Sequence, residues 1–310
     1  MSKTGAIIAP PVAGTSQNGP AEMTRRSRIL GRILFYGAAV LVGLPLAFSQ
    51  ALIGIHRQPT SKAPPDFEEV WLTSEGLKLR GWLAAKADAA RPAAVVVHGL
   101  GDSLESFVDV GRALAQRGHT VLLLDLRGHG GSEGRYTTLG GREREDVRAG
   151  MSFLVARGLA SRGFLLEGHS MGAVAVLRAA ADRADVRAVV VEAPYDDFRS
   201  SVAHHAWLLY RIPGWLPLVP TTIAIAEWRA GFDADEVDAV AAARRIRAPL
   251  LAIADGADPR MTEAIVRRVF DAHPGPKRFW VAPGAAHTGA SLSREYWTTV
   301  LTFLDDNGAK

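Results

Sequence analysis

Five short apolar runs, at residues 93–97, 121–124, 164–166, 188–191 and 249–253, carry no polar alternation, and several are rich in valine. Strands that must hide both faces read this way, because a polar side chain on either face would be stranded in the core. Between them, residues 104–117, 142–157 and 171–181 place apolar positions three and four apart, the spacing of a helix with one buried stripe. Two more helical stretches, 262–270 and 293–304, bracket a last strand near 277–281. Strands alternating with helices predict a single α/β domain built on a mostly parallel sheet covered by helices.

Two departures frame that rhythm. Ahead of it, EEVWLTS and LKLRGWLA flank Glu75-Gly76 with partly alternating apolar residues, as in an antiparallel hairpin. Within it, residues 198–229 bring Trp207, Leu208, Leu209, Tyr210, Trp215, Leu216 and Trp228 together with Pro213, Pro217 and Pro220. That composition reads as a short helical lid inserted after a strand. Its apolar residues could line an acyl pocket, touch a bilayer, or pack on the core.

Before the hairpin lie 23 residues without a formal charge, 33–55, long enough at about 1.5 Å per residue to cross a ~30 Å hydrocarbon core. Pro45 interrupts the segment, and Ser49 and Gln50 dilute its second half. An uncleaved anchor is the first expectation; a signal peptide cut after Ser49, a twin-arginine export signal using Arg25-Arg26 and a buried soluble helix are the alternatives. Arg25, Arg26, Arg28 and Arg32 crowd the N-terminal flank, which places the tail in the cytoplasm and the following domain outside the cell membrane. The expected organisation is a basic tail over 1–28 without apolar periodicity, a membrane or signal segment over 29–56, a stiff linker over 57–66, and a catalytic domain over 67–310 with its lid at about 198–232.

Charge changes the picture less than the pI of about 9.6 suggests. Residues 1–62 sum to +6, so the remaining chain is slightly acidic although the whole carries +4. A folded part with no basic run offers nucleic acid nothing to hold, and no nucleic-acid partner is expected. The absence of cysteine excludes disulfides, thiolate catalysis and Cys-ligated zinc.

The chemistry centres on Gly168-His169-Ser170-Met171-Gly172, a G-x-S-x-G placed where FLLE ends a strand and AVAVLRAA begins a helix. The pentapeptide alone is common; the strand-turn-helix setting gives it meaning. A serine hydroxyl needs a base, and His287 in Pro283-Gly284-Ala285-Ala286-His287 lies between the last strand and the last helix, where the chain order Ser, acid, His puts it. The acid that orients it is sought after the strand ending near Ala254. Asp258 is the first candidate there, followed by Asp255 and then by Asp196 or Asp197. Backbone N–H groups of Leu100 and Met171 are placed to meet a developing oxyanion. His204-His205 has no second pair at ligand spacing, so no metal is assigned, and no cofactor is implied. The glycine-rich turn at 125–132 lacks the Gly-Lys-Ser/Thr of a phosphate cradle.

Taken in order, HGLGD, DLRGHGGS, GHSMG, GADPR and PGAAH resemble the landmarks of the α/β-hydrolase superfamily from about Phe67 onward. The short lid is similar to that of serine-aminopeptidase-like and monoacylglycerol-lipase-like bacterial members. The resemblance implies the α/β-hydrolase fold and a Ser170, His287, Asp258 triad working through an acyl-enzyme, with Leu100 and Met171 as oxyanion hole. One departure is visible: the glycine usual three residues before the acid is Asp255 here. The reaction expected is hydrolysis of a carboxylic ester on a small-molecule or lipid-like acyl substrate. A peptidase or thioesterase with the same triad and a silent, membrane-tethered binding domain are the rival readings.

Overall fold

The computed structural model describes residues 25–55, 57–85 and 91–307; most of the expected basic tail lies outside them. Eight strands form one sheet in the order β1-β2-β4-β3-β5-β6-β7-β8. The hairpin strands β1 (Glu68–Ser74) and β2 (Leu77–Ala84) pair antiparallel, and β2 joins β4 (Val121–Leu124) antiparallel as well. From there β3 (Ala93–Val97), β5 (Phe164–His169), β6 (Val186–Glu192), β7 (Leu250–Asp255) and β8 (Lys277–Ala282) run parallel.

The unbroken apolar runs have a direct cause. Val95, Val97, Leu122 and Leu124 face one core, while Ala94, Val96, Val121 and Leu123 face a second on the other side of the sheet. The first core is closed by α4 (Glu143–Ala156), α5 (Met171–Ala180), α8 (Ala239–Ala243) and α9 (Glu263–Ala272). The second is closed by α3 (Val108–Gln116) and α10 (Arg294–Asp306).

The segment expected as a lid folds into α6 (Phe198–Tyr210) and α7 (Leu218–Ala230). Asp197 caps α6 by accepting the Ser200 N–H at 2.9 Å, and Pro220 falls in the first turn of α7, where a missing N–H takes nothing from the helix.

The N-terminal helical run is long and apolar enough to cross a membrane. It begins as α1 (Arg25–Ala38), passes a π-helical turn at Ala39–Gly43 and ends as α2 (Leu44–Ile53). Ile33, Leu34, Phe35 and Leu41 are exposed. In α2, by contrast, Pro45, Ser49 and Ile53 are buried, and the helix packs with the domain that follows.

Candidate active site

The site forms at the carboxyl ends of the parallel strands, where β5 turns into α5. Ser170 has φ 52° and ψ −115°, a left-handed conformation that costs a non-glycine residue about 1–3 kcal/mol. The flanking glycines explain why the turn closes at all. A Cβ on Gly168 would sit 2.4 Å from the Gly172 carbonyl oxygen, and one on Gly172 would sit 2.4 Å from that of His98. Both obstacles are backbone, so neither can step aside. The Ser170 N–H donates to the Glu192 carbonyl at 2.8 Å, tying the turn to β6.

Three side chains from three separate loops meet here. His287 Nε2 lies 2.9 Å from Ser170 Oγ, and His287 Nδ1 lies 2.6 Å from Asp258 Oδ2. Burial raises the Asp258 carboxyl, but the hydrogen bond and charge of His287 outweigh it and hold the group below its ordinary value. Its second oxygen accepts the Arg260 N–H at 2.7 Å, which fixes the carboxylate plane.

The other acid candidates are engaged elsewhere. Asp196 pairs with Arg268 at 2.6 Å, and Asp197 is the α6 cap. Asp255 supports the histidine loop from beneath: it accepts the N–H of Thr288 at 2.7 Å and that of Ala290 at 3.2 Å, and Glu192 accepts the same Ala290 N–H at 3.0 Å. Burial first, and the Glu192 carboxylate second, push Asp255 up to about 8. Asp255, Asp258 and His287 lie close enough together to suggest a metal centre. At 2.6 Å, however, His287 and Asp258 share a proton, and ligand bonds of ~2.0–2.2 Å to one ion would hold them farther apart.

Behind the turn lies a buried ionic group that the sequence reading missed. His169 Nδ1 is 2.8 Å from Glu192, its Nε2 is 3.6 Å from Glu167, and the Tyr296 hydroxyl donates to Glu167. Burial works against a charged His169, but the Glu192 and Glu167 carboxylates raise it to about 10, so it is an imidazolium at neutral pH. The available signal was a single carboxylate ending each of two doubly buried strands, in FLLE and VVVE.

The loop after β3 reaches the same point. Gly99 lies against Ser170, and Leu100 and Met171 both line the cavity above it. As the first residue of α5, Met171 has no intrahelical carbonyl for its N–H. His98 secures the loop: Nδ1 donates to the Gly99 carbonyl at 2.7 Å and Nε2 accepts the Leu126 N–H at 3.1 Å. Asp125 adds a second tie, accepting from Leu104 at 2.8 Å and Gly131 at 2.9 Å. The glycine-rich turn at 125–132 is therefore a strut for the loop after β3.

Over the serine lies a cavity of about 330 Å³. Its roof is the lid, through Val202, Ala206 and Leu209 of α6 and Leu218 and Val219 of α7. The lid thus both lines a pocket and packs on the core, while Trp215 and Trp228 stay 80% exposed. His205 lines the cavity and bonds to the Ser201 carbonyl at 2.8 Å; His204 bonds to the Pro259 carbonyl at 2.9 Å, joining the lid to the Asp258 loop.

Residues 88–225 match the family described as serine aminopeptidase, S33. The esterase Pf2001 of Pyrococcus furiosus superposes with a TM-score of 0.65 over 82% of this chain and 98% of its own, at 24% identity. The chain has the α/β-hydrolase fold. Among similar proteins, the uncharacterised protein YqkD of Bacillus subtilis is 28% identical over 238 residues, which are 74% of this chain and 76% of that one. An acylaminoacyl peptidase of Pyrococcus horikoshii shares the fold at a TM-score of 0.60 and 17% identity, over 79% of this chain and 42% of its own. Esterase and peptidase thus stand on one scaffold, and these likenesses support a hydrolase without choosing its bond.

Proposed function

We propose that this α/β-hydrolase cleaves carboxylic esters by nucleophilic catalysis, a reading carried by the linear contact from Ser170 through His287 to Asp258 at the floor of an apolar cavity. Ser170 Oγ attacks the acyl carbonyl carbon while His287 Nε2 takes its proton. Asp258 keeps Nδ1 protonated and stabilises the imidazolium that forms. The oxyanion is held by the N–H groups of Leu100 and Met171. As the ester C–O bond breaks, His287 passes the proton to the departing alkoxide. Water then attacks the acyl-serine with His287 as base, freeing the carboxylic acid and restoring Ser170.

An ester is favoured over an aminoacyl amide by what lines the pocket. An aminopeptidase needs an anionic group free to receive the substrate ammonium. Apart from the triad, Asp102 is the acidic residue lining the cavity among the described residues, and its Oδ1 accepts both the Ser103 N–H at 2.8 Å and the Ser106 hydroxyl at 2.5 Å, which leaves Oδ2 alone for an ammonium in an otherwise apolar lining. The arginine-rich flank of the N-terminal helix supports the extracytoplasmic side for the catalytic domain, and the polar stretch ahead of the helix, long for the n-region of a signal peptide, supports an uncleaved anchor.

Full-length protein treated with a fluorophosphonate probe is expected to label at Ser170, with labelling lost in Ser170→Ala. No label on the intact protein sinks the proposal. A matched panel of esters, thioesters and aminoacyl amides is expected to show the highest kcat/KM for esters; a preference for amides replaces the esterase reading with a peptidase.

A further inference from the structure

Resting on the reading of Ser170 as an acyl-transfer nucleophile, we infer that α2, the end of the N-terminal helix, is a wall of the substrate cavity. It is therefore retained in the mature protein and helps select amphiphilic esters with a long apolar acyl chain. Phe48, Ala51 and Leu52, at the i, i+3, i+4 spacing of one helix face, line the cavity that also holds Ser170 and His287. Val202, Leu209 and Val219 of the lid line the same cavity. A sleeve of this composition matches an alkyl chain and offers little to a peptide backbone.

The second stripe of α2 shows that this wall is built into the domain. Ser49 and Ile53 are fully buried. Arg229 of α7 donates to Ser49 Oγ at 2.9 Å and to the Gln50 side-chain oxygen, and its guanidinium lies over the Tyr136 ring. Phe48 meets Tyr210 of α6 edge to face at 5.1 Å, and the Thr137 N–H donates to the Ile53 carbonyl at 3.0 Å. Cleavage after Ser49 removes one of the two Arg229 acceptors and Phe48 together, opening the cavity on that side. Chain connectivity supplies the substrate's source: the apolar stretch suited to a bilayer begins at Ile33 and runs without a break into α2, so an amphiphile held in the membrane surface is near the opening.

The test uses full-length protein in detergent micelles with p-nitrophenyl acetate and p-nitrophenyl laurate. Ala51→Trp fills the sleeve and is expected to lower the laurate-to-acetate ratio of kcat/KM by about tenfold or more, the scale on which a pocket rejects misfitting apolar groups. Arg229→Ala, which loosens α2 without entering the cavity, is expected to lower the ratio by less. N-terminal sequencing of the membrane-extracted protein is expected to begin upstream of Ser49. A ratio unmoved in Ala51→Trp, or a mature chain starting after Ser49, overturns the inference. Fluorophosphonate labelling of the wild type separates the levels: label with an unmoved ratio removes the role of α2 alone, and no label removes the hydrolase reading beneath it.

Discussion

The floor and the roof of the cavity are held by opposite kinds of force. Beneath Ser170, position is set by backbone strain and by buried charge: Glu167, His169, Glu192 and Asp255 interlock two strand ends with the loop that carries His287. Above it, α6, α7 and α2 meet through apolar side chains with a few polar ties, such as Arg229 to Ser49 and His204 to Pro259. A buried ion that moves loses its partner at once, whereas apolar surfaces repack at small cost. In the proposed reaction, proton transfer needs the first property and accommodation of varied acyl groups needs the second.

Breaking the floor has the largest expected consequence. Asp258→Asn keeps the shape of the site but sets the wrong His287 tautomer, and kcat is expected to fall about 10⁴-fold, as in other triads. Steady-state kinetics check this; near-normal turnover transfers the acid role to Asp255.

The ionic group predicts an intermediate effect with a definite direction. His169, raised to about 10 from an unfolded value near 6.5, contributes stability that is full below pH ~6.5 and is lost as pH climbs through 10. Asp255, raised to about 8, holds in the folded state a proton that the unfolded chain releases above its ordinary carboxylate range, so its effect runs the same way and is lost by about pH 8. Thermal unfolding followed from pH 6.5 to 10 is expected to show a falling Tm. His169→Gln is expected to have a lower Tm at neutral pH and a flatter profile; an equally steep slope argues against the buried imidazolium.

The smallest effect belongs to the outer face of the roof. Trp215→Ala and Trp228→Ala remove side chains that neither line the cavity nor pack in the core. Stability is expected to change by less than about 0.5 kcal/mol, with turnover of a short soluble ester unaltered. A loss of several degrees in Tm shows the roof to be stiffer than the contrast implies.

What could be read from the chain follows the same division. Strands β3, β4, β6 and β7 were visible because burial on both faces removes polar alternation, and the serine turn was visible because its glycines answer to backbone obstacles. Strand ends were read short: β5 continues through Glu167 and His169 and β7 reaches Asp255, polar residues that stop an apolar run in sequence yet are buried by pairing with one another. The expected helix at 104–117 begins with a 3₁₀ turn at Leu104–Phe107, and the short α8 gave no periodic signal. Asp255, the last residue of β7, and Asp258, in the loop that follows, stand three residues apart; what separates their roles is partners contributed by β6 and by the loop after β8, which chain order does not show. Why Phe48 and Leu52 belong beside Ser170 was equally hidden, since an apolar membrane helix and an apolar pocket wall have the same composition.

Arg229 closes over a stretch of chain that an expression engineer would discard first. Trimming to residue 57 for solubility leaves the serine, histidine and aspartate in place and removes one side of their container. Screening such a fragment against a substrate library would return a broad, short-chain profile belonging to the trimmed protein, with the native selectivity left behind in the discarded helix.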